Sequence, residues 1–326
     1  RQHQVKIVGT NLEDEFIDEL KNKNNFHPTL KFYLPEETGI VKYSNLSNEL
    51  QKRPDLIVLA VSSKGISWIV DQLSNMSHLK NLPPILMLTK GLSIYENKYE
   101  LLIDKLERLL ISKGFKNINI SAVGGPCLAS GLANKVHTSV VFVNKNIETV
   151  KWLKEILTTS YYHPSISNDI IGVEVCAAIK NIFAMVIGAS QGLCNDTLED
   201  KLKENNYQNT AASLIRQSLH EMGLVVDLLK GNMETVYGLA GLGDLYVSST
   251  GGRNSKMGSY IGKGYMYSEA KKSKMPNETI EGAELIFEIG PKIRKDFNIK
   301  IMPLMIGMID AILNDKRLVI NWNDFK

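Results

Sequence analysis

Residues 170–193 read IIGVEVCAAIKNIFAMVIGASQGL, a proline-free run with apolar residues at helical spacing. Cys176, Ala177, Ala178, Ala184, Gly188 and Ala189 keep it small on nearly every side, so a helix here packs closely all round. The same run separates two halves of different period. Upstream, short β-branched stretches at 5–8, 55–61, 85–89, 118–123 and 138–143 alternate with helical spacing at 66–75 and 98–112, which is the pattern of βα units in a parallel sheet. Downstream the strand signals nearly vanish, and long helical patterns occupy 207–230, 279–296 and 303–314. The expected architecture is an α/β domain over residues 1–168 followed by an all-helical domain over residues 169–326.

Composition agrees with two ordinary globular domains. The chain has 326 residues, 38 Lys and Arg against 35 Asp and Glu, a net charge of +3 and 44% hydrophobic residues. That length supports a large core and excludes a disordered chain or a small stapled scaffold. A charge of +3 gives no chain-wide field for nucleic acid or anionic lipid, so a phosphate site has to be local. Cys127, Cys176 and Cys194 are an odd count without CxxC spacing, and none stands near a histidine at ligand distance. The expectation is a reducing, cytoplasmic compartment and no metal site. The uncharged stretch 117–134 is broken by Asn, Ser, Gly and Pro, so it does not read as a membrane span, and residues 1–4 show no signal-peptide order.

In an open parallel sheet, ligands bind beyond the carboxyl ends of the strands. The residues there are Ser62-Ser63-Lys64, Lys90-Gly91 and Gly124-Gly125-Pro126. Each alone is also ordinary turn chemistry; three in succession at one end of a sheet point to a cleft. Within the 170–193 run, Lys180 lies among small residues, where an unpaired ammonium is costly to bury. Spacing leaves two readings open. The lysine either snorkels or pairs with a structural carboxylate, or it is desolvated toward neutrality and exchanges protons near physiological pH, as chemistry at a carbonyl requires. A second unusual stretch runs from Gly238 to Ser255 with Asp244 in it, reading neither as helix interior nor as strand. Its Gly251-Gly252 before Arg253-Asn254 offers open backbone, a guanidinium and an amide at one turn, a set that suits a phosphate monoester; the alternative is a glycine-rich loop with a solvated arginine.

At these residues the chain resembles the NAD(P)-dependent glycerol-3-phosphate dehydrogenases. The likeness runs from Gly172-Val173-Glu174 to Ala178-Ile179-Lys180-Asn181, and includes Asn209-Thr210, Glu221-Met222, Tyr237 to Leu245, Gly252-Arg253-Asn254 and Glu281-Gly282. In the first half it includes Tyr33-Leu34-Pro35, Thr89-Lys90-Gly91-Leu92 and Gly125-Pro126. The resemblance implies a Rossmann-like domain followed by a helical substrate domain, a homodimer, and interconversion of dihydroxyacetone phosphate and sn-glycerol 3-phosphate with NAD or NADP for glycerophospholipid synthesis. By the same resemblance Lys180 is the general acid/base, Lys90 a second lysine near the reacting oxygen and the cofactor, and Asp244 the carboxylate that holds the catalytic lysine, with Ser248 beside it. Asn181, Arg253 and Asn254 grip the substrate, Arg253 also reaching the cofactor, and Glu281 is a cofactor-side carboxylate.

The departures concern mainly the cofactor. No GxGxxG loop is present, only Gly9. Residues 5–9 are either a degenerate first strand or, as His3-Gln4-Val5 suggests, the family's second strand, in which case the first strand, its loop and the pyrophosphate cradle are absent from this chain. Ser62 replaces a usual Pro, Gly131 a usual Glu, and 195–208 forms a longer excursion. Thr10-Asn11 supplies neither an acid for a ribose hydroxyl nor an arginine for a 2′-phosphate, so NAD and NADP are not distinguished. The competing reading is a dehydrogenase-derived protein that binds a phosphometabolite without cofactor chemistry.

Overall fold

The computed structural model describes residues 3–75, 81–193 and 207–326, so Cys194 and nearly all of the 195–208 excursion lie outside the described residues. Its contacts define two compact units. The sheet unit holds residues up to Thr89, then Ile103–Val123 and Cys127–Ser167; the helical unit holds Lys90–Leu102, Gly124–Pro126 and Asn168–Lys326.

The strands are β1 (Lys6–Val8), β2 (Phe26–His27), β3 (Phe32–Tyr33), β4 (Gly39–Val41), β5 (Ile57–Leu59), β6 (Ile85–Met87), β7 (Leu92–Tyr95), β8 (Lys98–Leu101), β9 (Ile120–Gly124), β10 (Thr138–Val143) and β11 (Tyr162–Ser167). Five form one sheet in the order β11-β10-β9-β6-β5, and every described pairing in it is parallel. Ile85, Leu86 and Met87 on β6 and Val140 to Val143 on β10 are buried, as strands covered on both faces should be. Sequence period does not reveal β11, because Pro164 interrupts it; a residue without an N–H is tolerated only at the margin of a sheet, which is where β11 lies. β1 pairs with β4 in parallel as a separate two-stranded sheet, with Lys6 opposite Gly39. Among the described residues no strand joins β1 to β5, the free end strand of the larger sheet. Helices α1 (Asp14–Asn22), α2 (Leu46–Gln51), α3 (Gly65–Ser74), α4 (Leu102–Ser112), α5 (Ala129–Ala133) and α6 (Ile147–Leu157) supply the connections.

The helix expected over 98–112 is corrected at its start. Its first four residues are β8, paired antiparallel with β7, and α4 begins only at Leu102. The reason is the turn: Glu96 and Asn97 both take positive φ, 48° and 60°, the geometry of a tight two-residue hairpin.

The helical unit continues with α7 (Ile170–Leu193), α8 (Tyr207–Leu228), α9 (Met233–Tyr237), α10 (Asp244–Ser249), α11 (Arg253–Gly262), α12 (Tyr267–Ser273), α13 (Glu281–Asp296) and α14 (Pro303–Leu313). Asp169 starts α7 by accepting the Gly172 N–H at 2.9 Å, and its other oxygen receives Asn232 N and the Thr235 hydroxyl. By length and composition α7 could cross a membrane, but 89% of its most apolar window is buried inside the protein, so it is a core helix. Its small residues let α11 approach backbone to backbone: a Cβ on Gly188 would lie 2.2 Å from the Ser255 carbonyl oxygen, and one on Gly258 would lie 1.9 Å from that of Met185. Either substitution forces the helices apart. At the far end of the unit, buried Glu221 accepts the Leu304 and Met305 N–H groups at 3.0 and 2.8 Å and so caps α14.

Candidate active site

The packing of α7 against α10 and α11 brings the candidate residues together. The glycine-rich stretch expected to be neither helix nor strand is instead helical in short pieces: a π-helical turn at Leu239–Gly243 leads directly into α10, so Asp244 opens that helix. Gly252 then takes φ +93°, a conformation that disfavours any side chain, and turns the chain into α11 at Arg253.

Lys180 is only 6% exposed, which removes the snorkelling alternative. Its Nζ donates to Asp244 Oδ1 and, at 2.9 Å, to the Ser248 hydroxyl. Lys90, at the carboxyl side of β6, donates to the other carboxylate oxygen, Oδ2, at 3.0 Å. Asp244 is itself buried, so one carboxylate stands between two ammonium groups. The charges are unequal in their surroundings. Burial, and next the positive charge of Lys90, draw the Lys180 ammonium down to about 8, against the opposing pull of Asp244 and Glu281. A lysine held there is protonated at neutral pH yet gives up its proton far more readily than an exposed one.

Next along α7, Asn181 Oδ1 accepts from Asn254 Nδ2 at 3.1 Å. Asn254 also donates to Glu281 Oε2 at 3.4 Å, and its Oδ1 accepts the Gly282 N–H at 2.9 Å. Arg253 forms an ion pair with Glu281 Oε1. The eight residues singled out from sequence thus form two clusters in one unit, Lys90, Lys180, Asp244 and Ser248 in the first and Asn181, Arg253, Asn254 and Glu281 in the second, joined through consecutive residues of α7. Arg253 is half exposed, and a cleft of about 490 Å³ opens beside it, lined by Thr250, Lys256, Tyr260 and Lys263 among others; its lining does not include Lys180. Sequence reading missed this cleft. Basic residues at 253 and 256 on one short helix, and at 263 just past its end, were the available signal.

The sheet unit fits a dinucleotide less completely. In the turn after β1, the Thr10 N–H is already taken by Glu13 Oε2 at 2.8 Å, and α1 opens with Asp14 and Glu15. Carboxylates at a helix start compete with a phosphate for the same positive end, so this turn does not build a pyrophosphate cradle.

Comparison with known proteins gives one consistent set of relatives. The family model "NAD-dependent glycerol-3-phosphate dehydrogenase N-terminus" matches residues 1–150, and the corresponding C-terminus model matches residues 169–321. The chain is 26% identical over 300 residues to the NADP(+)-dependent glycerol-3-phosphate dehydrogenase of Archaeoglobus fulgidus, covering 90% of this chain and 85% of that protein. It is 30% identical over 282 residues to glycerol-3-phosphate dehydrogenase [NAD(P)+] of Coxiella burnetii, covering 85% and 76%. A crystal structure of glycerol-3-phosphate dehydrogenase from Coxiella burnetii superposes with a TM-score of 0.77 at 25% identity, covering 96% of this chain and 88% of that one.

Proposed function

The chain belongs to the NAD-dependent glycerol-3-phosphate dehydrogenase family, and from that premise we infer how its residues divide the work of interconverting dihydroxyacetone phosphate and glycerol 3-phosphate with NAD or NADP. The observation that carries the reading is the single buried carboxylate of Asp244 between Lys180 and Lys90, beside the Arg253–Asn254 cluster. A bound nicotinamide would supply or take the hydride. The chain's own residues handle the proton and the phosphate. Lys180, eased toward neutrality by burial, gives its proton to the carbonyl oxygen of dihydroxyacetone phosphate and recovers it in the reverse direction. Lys90 sits by the same oxygen as a fixed positive charge, also toward the cofactor, while Asp244 and Ser248 hold the Lys180 ammonium in line.

Arg253, Asn254 and Asn181 hold the substrate phosphate and its neighbouring hydroxyl. Glu281 orients Arg253 and faces the cofactor side. A phosphate dianion on Arg253 has donors to use besides the one given to Glu281, since a guanidinium carries five N–H groups. Residues 1–168 serve the dinucleotide and residues 169–326 the substrate, with Lys90 lent to the second group. The reading extends to a cytoplasmic homodimer that supplies glycerol 3-phosphate for glycerophospholipids. The deciding assay follows NADH or NADPH at 340 nm with dihydroxyacetone phosphate. Cofactor oxidation with this substrate is expected; oxidation seen only with an unphosphorylated hydroxy acid overturns the assignment.

A further inference from the structure

Lys90 is attached to the helical unit by more than its own ion pair. Its side chain is 27% exposed and makes one contact with Asp244 at 3.0 Å. A long flexible lysine held by one partly exposed pair is weakly positioned. The chain that follows it, however, is the β7–β8 hairpin, and three residues of α13 receive that hairpin. The Ile94 N–H donates to Glu288 Oε1 at 3.4 Å. The Tyr99 hydroxyl donates to Asp296 Oδ2 at 2.7 Å. Lys292 lies 5.0 Å from the centre of the Tyr99 ring and pairs with Asp296 at 3.1 Å. Tyr99 is half-buried, and burial, followed by the Asp296 carboxylate, holds its hydroxyl above the ordinary range, so it remains a donor at every working pH. Glu288, Lys292 and Asp296 recur every four residues and form one stripe along α13. Two turns toward the N-terminus the same helix begins with Glu281, the partner of Arg253.

We propose that the Tyr99–Asp296–Lys292 clasp is a positioning device, seating the β7–β8 hairpin on α13 so that Lys90 is presented to Asp244 at a set distance from the Arg253 that the same helix holds through Glu281. The proposal rests on the reading of Lys90 as part of the reacting centre. It has a consequence that does not require bound cofactor. The charged groups acting on Lys180 are Lys90, Asp244 and Glu281, with Ser248 as its neutral partner, and of these only Lys90 pushes the ammonium toward neutrality. A clasp that slackens lets Lys90 withdraw, and Lys180 then holds its proton more tightly.

The test is an NMR titration of lysines labelled at Cε in the full chain, with the Lys180 signal assigned by its loss in Lys180→Met. Lys90→Ala should move the Lys180 midpoint upward, Tyr99→Phe should move it part of the way in the same direction, and the double variant should match Lys90→Ala alone. Asp296→Asn keeps an acceptor for Tyr99 and should stay closer to the native midpoint than Asp296→Ala. Turnover with dihydroxyacetone phosphate should fall roughly two- to tenfold in Tyr99→Phe, the loss expected for one hydrogen bond, with little change in KM. An unmoved midpoint in folded Tyr99→Phe and Asp296→Ala, or equal effects of Tyr99→Phe in the native and Lys90→Ala backgrounds, overturns the clasp. If Lys90→Ala itself leaves midpoint and turnover native, the reading of Lys90 falls first and takes the clasp with it. Thermal melts separate these outcomes from unfolding, and Asp296→Asn decides if Tyr99→Phe fails to fold.

Discussion

In the sheet unit the buried polar network is neutral. Asn144 Nδ2 lies 2.8 Å from the Ser121 hydroxyl, the Ile120 carbonyl and Asn119 Oδ1, while its Oδ1 accepts the Asn146 N–H at 2.7 Å. Asn119 passes the chain on to Thr149 at 2.9 Å, so the network ties β9 to the turn after β10 and to α6. In the helical unit the buried network is charged, with Asp244 between Lys180 and Lys90 and Glu221 beneath α14. Both are satisfied by hydrogen bonds; they differ in what they can do. An amide network has no proton to tune and returns only structure. A charged network costs desolvation free energy, and part of that cost reappears as a displaced pKa, which is the property proton transfer needs.

That contrast is broken most sharply by replacing one centre in each unit. Lys180→Met should reduce turnover by roughly 10²–10⁴-fold, the range for a general acid, while the melting temperature changes little, because Asp244 keeps Lys90 as a partner. Asn144→Ala should do the reverse. It strands the Asn119, Ser121 and Asn146 partners and should cost about 1–3 kcal/mol in a denaturant titration, with turnover of the folded enzyme unchanged. If Lys180→Met lowers stability more than activity, the charged network is structural and the contrast is lost.

Between these lies Arg253, a charged group at the rim. Arg253→Ala should raise the Michaelis constant for dihydroxyacetone phosphate roughly ten- to a hundredfold, the equivalent of one charge-assisted contact, and Arg253→Lys should recover only part because an ammonium cannot bind bidentately. Unphosphorylated dihydroxyacetone is the control. Equal weakening of both substrates would assign Arg253 to the fold or the cofactor.

The smallest expected effect is at Glu221, a buried carboxyl bonded to the start of α14. Burial lifts its carboxyl to about 7 from an unfolded value near 4.5, outweighing the Leu304 and Met305 N–H groups and Gln217 that pull it down. The folded state therefore binds the extra proton between these values. The stabilisation is fully present below about 4.5 and is lost as pH rises through about 7. Glu221→Gln should flatten that decline, seen as a smaller drop in melting temperature between pH 5 and pH 8 than in the native protein. An identical slope in the two proteins removes Glu221 from the pH dependence.

How much of this was legible beforehand divides along the same lines. The local period of 170–193 was enough to locate α7, and the ordered motifs Lys90, Lys180, Asp244 and Arg253-Asn254 were enough to identify a family, because those signals lie in neighbouring residues. Apolar spacing at 98–112 misled, since the first four of those residues are settled by the Glu96-Asn97 turn and by Tyr99 docking on Asp296, a partner 197 positions away. Pro164 likewise hid β11, whose place at the sheet margin exists only once β10 is beside it. The meeting of Lys90 and Lys180 on one carboxylate spans 154 and 64 positions and could not be read from spacing. Sequence by itself determined the long helices of the second half, the two-part architecture and the list of chemical groups. The tertiary structure alone decided which groups share a proton field, because charge and desolvation act through space over a few ångströms and are indifferent to separation along the chain.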